Sequence, residues 1–390
     1  MPWPSSGKSA AALNGERLES SSSPRTRFAF RLFRALLRAD DSANIFISPP
    51  SVMLCLALVH ELASGETRQS MAGALEIAGM DQAGIELEIS SLKSAFSART
   101  GAELSLANAL FFATHAQVAP VLQTQLRALY DAELSSLDFS RPESVRTINA
   151  WVAARTRGKI PLIVRELPSF TALVALDAVY FKSSWLTPFR KGLTRDKPFR
   201  TASGAVKQVP MMRQAGTYRY YEDEHVQVAA LPYHGNLSAC ILLPRADAEV
   251  PRFRQSLASG VWDSWLAKWR SMPGTVCLPR FRVDYDTALN PVLKALGMER
   301  AFDPQRAEFR HLHTAQPPVW LNKVVHRAVA EVNEEGTEAA AATMADVFCS
   351  SVMGKPRKQF QMIVDRPFVT VIRDESANAI LFVGWIGDPE

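Results

Sequence analysis

The stretch Val324–Phe348, VVHRAVAEVNEEGTEAAAATMADVF, joins two unlike halves at Gly336. The half through Asn333 is apolar or β-branched on both faces and predicts a central strand of a covered sheet. The other half is a run of small residues with neither the apolar stripe of a core helix nor the Gly and Pro punctuation of a turn. Numbered with the period of two of a strand, it divides cleanly. Thr337, Ala339, Ala341, Thr343, Ala345 and Val347 make one face, small and uncharged. Glu338, Ala340, Ala342, Met344, Asp346 and Phe348 make the other, which carries both charges. Such a strand can enter a protein interior on its first face without overpacking it or stranding a charge there. Gly336 supplies the φ freedom a pivot needs. Ala is also the best helix former and Thr337 can cap, so the run taken alone suits a surface helix equally well. Its neighbours decide the matter: a strand runs straight into Gly336, and FQMIVDRPFVTVIRD (360–374) resumes strand structure after the polar GKPRK (354–358).

The rest of the chain reads as one α+β domain. Its 390 residues are 47% hydrophobic and 21% charged, the balance of a globular protein with a large core. The net charge of +5 is scattered, a weak signature for a nucleic-acid binder. Residues 1–23, rich in Ser and Ala, read as a disordered tail. Ser23 and Pro24 predict a capped helix start; Arg27, Arg31, Arg34 and Arg38 share its outer face, and Phe30, Phe33 and Leu37 its inner one. Further helices are expected over about Ser51–Leu62 and Glu66–Ile77, and where Val145, Ile148 and Val152 stand at helical spacing. Strands dominate the remainder, ending in a hairpin. The N-terminus lacks the apolar core of a secretory signal and no window is long enough for a membrane span, so the sequence as it stands reads as cytoplasmic.

Signals for chemistry fail one by one. HELAS at His60 has Ser64 where a zinc-protease helix needs its second His, and GKS at Gly7 lacks the strand and earlier Gly of a phosphate loop. His311 and His313 stand without further metal ligands. Cys55, Cys240, Cys277 and Cys349 have no CxxC spacing and read as free thiols. There is no GxSxG elbow and no dinucleotide fingerprint. The expectation is no enzyme, no cofactor and no metal.

Against this background the sequence resembles the serpins. EVNEEGTEAAAAT (331–343) resembles their hinge, NIFISPPSVMLCLALV (44–59) their first shutter segment, and ALDAVYFKSSWLTPF (175–189) the strand that leads to their breach tryptophan. VPMM (209–212), LPRF (278–281) and DRPFVTVI (365–372) match as well, so the likeness spans Pro24 to Glu390. It implies a single domain with three β-sheets, about nine helices and an exposed reactive-centre loop over about 334–358. It also implies inhibition of a serine protease, in some members a cysteine protease, through a covalent acyl-enzyme followed by insertion of the loop into the central sheet. The insertion point would lie between the strands near Thr171–Lys182 and Val319–Asn333. The hinge would comprise Glu334, Gly336, Thr337, Glu338, Ala339, Ala340, Ala341, Ala342 and Thr343.

Counted from Glu334, the resemblance puts the reactive bond at Ser350–Ser351, with Cys349 and Ser350 offered to the protease; their small side chains suit an elastase-like pocket. Met353 is a weaker bait, Lys355 is blocked by Pro356, and Arg357 or Lys358 would leave slack at about 3.3 Å per residue. The shutter positions are Ser48, Ser51 and His326, with Asp177 where the family has Asn; this departure predicts an ion pair with a protonated His326. Trp185 matches the breach tryptophan. The resemblance implies a monomer and leaves an extracellular location open; the region that binds heparin in some serpins has few basic residues here, so heparin, like nucleic acid or a membrane, is not expected as a partner. A non-inhibitory serpin acting as a carrier or chaperone-like binding protein is the alternative, disfavoured by the small-residue hinge.

Overall fold

The computed structural model describes residues 22–97, 100–245, 250–314, 319–336 and 358–389. The first helix, α1 (Pro24–Ala39), starts where the sequence indicates: the Ser23 side chain accepts from the Thr26 N–H, and Phe28, Phe30, Phe33 and Leu37 face the core. There follow β1 (Asn44–Ile47), α2 (Pro49–Leu62), α3 (Gly65–Ala74), α4 (Gln82–Ala95), β2 (Ala102–Ala113), β3 (Ala116–Val118), α5 (Pro120–Tyr130), β4 (Glu133–Leu137) and α6 (Pro142–Arg155). Strands then prevail: β5 (Leu173–Ser183), β6 (Arg195–Arg200), β7 (Val206–Glu222), β8 (Val226–Pro232) and β9 (Leu237–Pro244). After α7 (Val250–Ser256) and α8 (Ser259–Lys268) come β10 (Arg270–Pro279), β11 (Phe281–Ala288), α9 (Asn290–Leu293), β12 (Leu312–Thr314) and β13 (Leu321–Val332). The chain closes with β14 (Phe360–Ile363) and the hairpin β15 (Phe368–Asp374) and β16 (Ala379–Ile386).

Two helix boundaries differ from the sequence reading. The second helix begins two residues early, because Pro49 and Pro50 sit in its first turn, where a missing N–H costs nothing, and Ser48 is its N-cap. The third stops at Ala74: Glu76 turns left-handed (φ +61°) and the Ile77 N–H closes back on the Ala72 carbonyl, a helix-ending bond pattern that precludes another turn.

Among the described residues the strands form three sheets. The largest runs β1-β16-β15-β9-β8-β7-β10-β14, with β6 on β7; a small one pairs β12 with β3. The five-stranded sheet, β11-β13-β5-β2-β4, holds the site. Every residue of α2 except Glu61 is buried, since the helix packs on β2 and β5 on one side and on β16 on the other. The opposite face of the five-stranded sheet is covered by α6, whose Ile148 and Val152 build a second core with Ala107, Phe111, Leu176 and Val329. Both faces of β5 are therefore dry, and its burial is continuous rather than alternating.

Candidate functional site: the seam between β5 and β13

In the five-stranded sheet, β5 and β13 lie side by side and parallel, from Val174 opposite Lys323 to Phe181 opposite Ala330. Their seam is crossed at mid-length by a polar contact inside an apolar core. Asp177 and His326 are register partners, both fully buried, and His326 Nδ1 lies 2.6 Å from Asp177 Oδ2. The Ser51 hydroxyl, reaching down from α2, lies 2.8 Å from the same carboxylate oxygen and 3.0 Å from the Ser48 carbonyl; its one proton serves one of the two at a time. The backbone N–H of Ser48 donates to His326 Nε2 at 3.3 Å.

Asp177 and His326 meet as expected: Nδ1 faces the carboxylate, and Nε2 faces the Ser48 N–H, an acceptor role that a neutral ring can fill and a protonated one cannot. Nor does the Ser48 hydroxyl join the cluster; its backbone does so instead.

The sequence reading missed two members of this polar row. Asn108 of β2 faces Asp177 and Thr287 of β11 faces His326, which extends the row over four adjacent strands. Asn108 is buried. The signal was available in ELSLANALFFA, where Asn108 interrupts the inward-facing Leu106 and Leu110.

At the top of the seam the chain turns. Trp185 is buried, stacks on Tyr233 with centroids 4.0 Å apart and donates from Nε1 to the Asn333 carbonyl at 2.9 Å. Glu334 and Glu335 form a two-residue turn: Asn333 and Gly336 bond to each other through both backbone groups, and Gly336 also bridges Ser184. Gly336 has φ +127°, and a Cβ there would lie 2.3 Å from the Ser183 carbonyl oxygen and 2.5 Å from Ser184 Cα. Only glycine fits.

Glu334, buried, is held by Arg280, whose Nε lies 2.9 and 2.8 Å from its two carboxylate oxygens, and by the Thr194 hydroxyl. Burial alone would push this carboxyl up, but the bonds from Arg280 and Thr194 outweigh it and keep it below its ordinary range. Arg280 lies in the LPRF motif, yet nothing in the sequence marks it as Glu334's partner across 54 positions.

The structure thus brings Ser48, Ser51, Asp177, His326, Trp185, Glu334 and Gly336 to one seam. Thr337, Glu338, Ala339, Ala340, Ala341, Ala342, Thr343, Cys349, Ser350 and Ser351 lie outside the described residues.

Comparisons with known proteins place this geometry. The family model described as Serpin (serine protease inhibitor) matches residues 23–389. Leukocyte elastase inhibitor of Bos taurus is 36% identical over 387 residues, covering 95% of this chain and 100% of that protein. Serpin B9 of Homo sapiens is 34% identical, with 95% and 100% covered. Among solved structures, the thermophilic serpin tengpin in its native state superposes with a TM-score of 0.86 at 25% identity, covering 96% of this chain and 94% of that one. Human thyroxine-binding globulin in complex with its hormone gives 0.83 at 26%, covering 95% and 99%. On sequence and on fold alike, the chain belongs to the serpin family.

Proposed function

We propose that this serpin inhibits serine proteases as a suicide substrate, and that its segment 337–347 becomes a sixth strand between β5 and β13 after cleavage. In the cleavage step the protease serine forms an ester with the Ser350 carbonyl carbon, the bond to Ser351 breaks, and Ser351 leaves as a free amine.

The observation that carries the reading is the register at Gly336. This residue already pairs with Asn333 at the end of β13 and with Ser184 beyond β5. A strand continuing past it runs antiparallel to both. Thr343, seven residues on, then falls opposite His326, seven before Asn333, and opposite Asp177, seven before Ser184. His326 and Asp177 are already partners, so β5 and β13 need only part sideways; no sliding is required. One parallel ladder is exchanged for two antiparallel ones, the more stable pairing per residue.

The same register assigns the faces. Asp177 and His326 point toward α2, so Thr343 and with it Thr337, Ala339, Ala341, Ala345 and Val347 enter the core, the small uncharged face read from sequence. On the other face Glu338 falls opposite Lys182 and Asp346 opposite Lys323. Val347 meets Leu173 at the foot of β5, and Ser350 emerges three residues later. An attached protease would be carried the length of β5, about 36 Å at 3.3 Å per residue.

The small Cys349 and Ser350 fit an elastase-like target, and relatives named leukocyte elastase inhibitor support that choice. The test is incubation with elastase followed by denaturing electrophoresis. We expect an SDS-stable complex, a released peptide beginning at Ser351, and a nicked form that melts above the intact one. Clean cleavage with no complex and no gain in melting temperature would refute this and favour the carrier reading, which has the structural likeness to thyroxine-binding globulin on its side.

A further inference from the structure

The seam is tied on both faces, by consecutive residues. His326 points inward and bonds Asp177; Arg327 points outward, where its Nη1 donates to the carbonyl of Leu162. Leu162 belongs to the strap, residues 156–172, that leads from α6 back to β5 over the outer face of the sheet. Ile160, Ile163 and Val164 are buried there against β2, β5 and β13. Asn149 of α6 fixes the strap, accepting from the N–H groups of Ile163 (2.8 Å) and Val164 (3.1 Å) and donating to the Val164 carbonyl (2.8 Å). The strap has a separate foothold on β5, where Lys159 Nζ stands 5.1 Å from the centre of the Tyr180 ring. It therefore straddles the seam, anchored to β5 through Lys159 and to β13 through Arg327.

A new strand would add one interstrand spacing, about 4.8 Å, between β5 and β13. A hydrogen bond does not survive such a displacement. Either the Arg327–Leu162 bond breaks or the strap leaves β5. Arg327's other partner, Asp284 (2.8 and 2.7 Å), sits on β11, on the same side of the seam as β13, and is indifferent to opening.

We infer that Arg327 and the Leu162 carbonyl form an outer clasp that limits the rate at which the seam opens. This rests on the insertion reading above, and Arg327 acts as a positioning residue for it. The test uses the full chain and a synthetic peptide of residues 337–347, TEAAAATMADV, with uptake followed by native electrophoresis.

Arg327→Gln is expected to speed uptake about tenfold, the worth of a hydrogen bond from a charged donor, and Lys159→Met to speed it as well. Asp284→Asn should change it less than about twofold. In the cleaved form, where the clasp is already open and only the Asp284 pair is lost, Arg327→Gln should lower the melting temperature no more than Asp284→Asn does. An unchanged uptake rate in Arg327→Gln or in Lys159→Met, equal acceleration by Asp284→Asn, or a cleaved form destabilised as much as the intact one would each overturn the clasp. Should the unsubstituted protein take up no peptide at all, insertion itself fails and the clasp with it.

Discussion

If segment 337–347 enters the sheet in the register set at Gly336, one carboxylate placed on either face has opposite consequences. Ala341 falls opposite Val179 and Ala328, both fully buried on the α2 side. A carboxylate there has no cation to meet. Leaving a buried charge unpaired costs about 3–5 kcal/mol, whether it stays charged or takes up a proton at a raised pKa. At 1.36 kcal/mol per tenfold, the lower figure slows insertion past that point about a hundredfold. Insertion competes with hydrolysis of the acyl-enzyme, so Ala341→Glu should turn the inhibitor into a substrate. Ala342 falls instead opposite Ala178 and Arg327, on the outer face. There a carboxylate meets the Arg327 guanidinium, still paired with Asp284 but with the Nη1 that held the Leu162 carbonyl free to donate, and Ala342→Glu should remain an inhibitor. The assay is a titration of elastase giving the moles of serpin consumed per mole inhibited, with electrophoresis to separate complex from cleaved product. Equal turnover of the two variants would refute the register, because no other feature of neighbouring alanines distinguishes them.

Three further outcomes follow from the site and its surroundings. Gly336→Ala, forced to φ +127° and into the Ser183 and Ser184 backbone, should lower the melting temperature of the intact form by the several degrees that about 1–3 kcal/mol implies; an unchanged scan would show that the bridge to Ser184 is not formed. Arg280→Met leaves Glu334 buried with Thr194 as its side-chain partner and should destabilise the intact form by about 2 kcal/mol at neutral pH, discounted because Arg280 is half-exposed. Glu334's carboxyl is held low in the fold, so its contribution is present above the ordinary carboxylate range and disappears as pH falls through the depressed folded value. The Arg280→Met deficit should therefore shrink in acid, and a deficit independent of pH would contradict this. Burial, with help from Arg68, lowers His60 to about 4 from 6.5. The unfolded chain then binds the extra proton between these values, and stability should drop as the pH is lowered across that window, by on the order of 3 kcal/mol. Urea midpoints at several pH values, flat in His60→Gln and sloping in the unsubstituted protein, would bear this out; parallel curves would not.

The Ser23–Pro24 start of α1, the inward phenylalanines and the closing hairpin were legible because each depends on residues a few positions apart, where capping and periodicity act. The ends of the second and third helices were less so: Pro50 could equally precede a helix as open one, and only the Ile77–Ala72 closure shows where the third stops. In the site, the resemblance located Asp177 and His326 but not the other group on the ring, the backbone N–H of Ser48, 278 positions away, which faces Nε2.

Residue order alone gives 337–347, taken as a strand, one small neutral face and one charged face; it marks Gly336 as a candidate pivot and predicts strands on either side. Those are properties of period and residue size, and they are local. Whether that small face would be the one to meet the core on insertion depends on the packed sheet, on β5 and β13 lying parallel with Asp177 opposite His326 and with Gly336 bridging both strands. A register between strands about 150 residues apart is set by how two sheets, a buried helix and a strap pack together. No period within one strand can encode it.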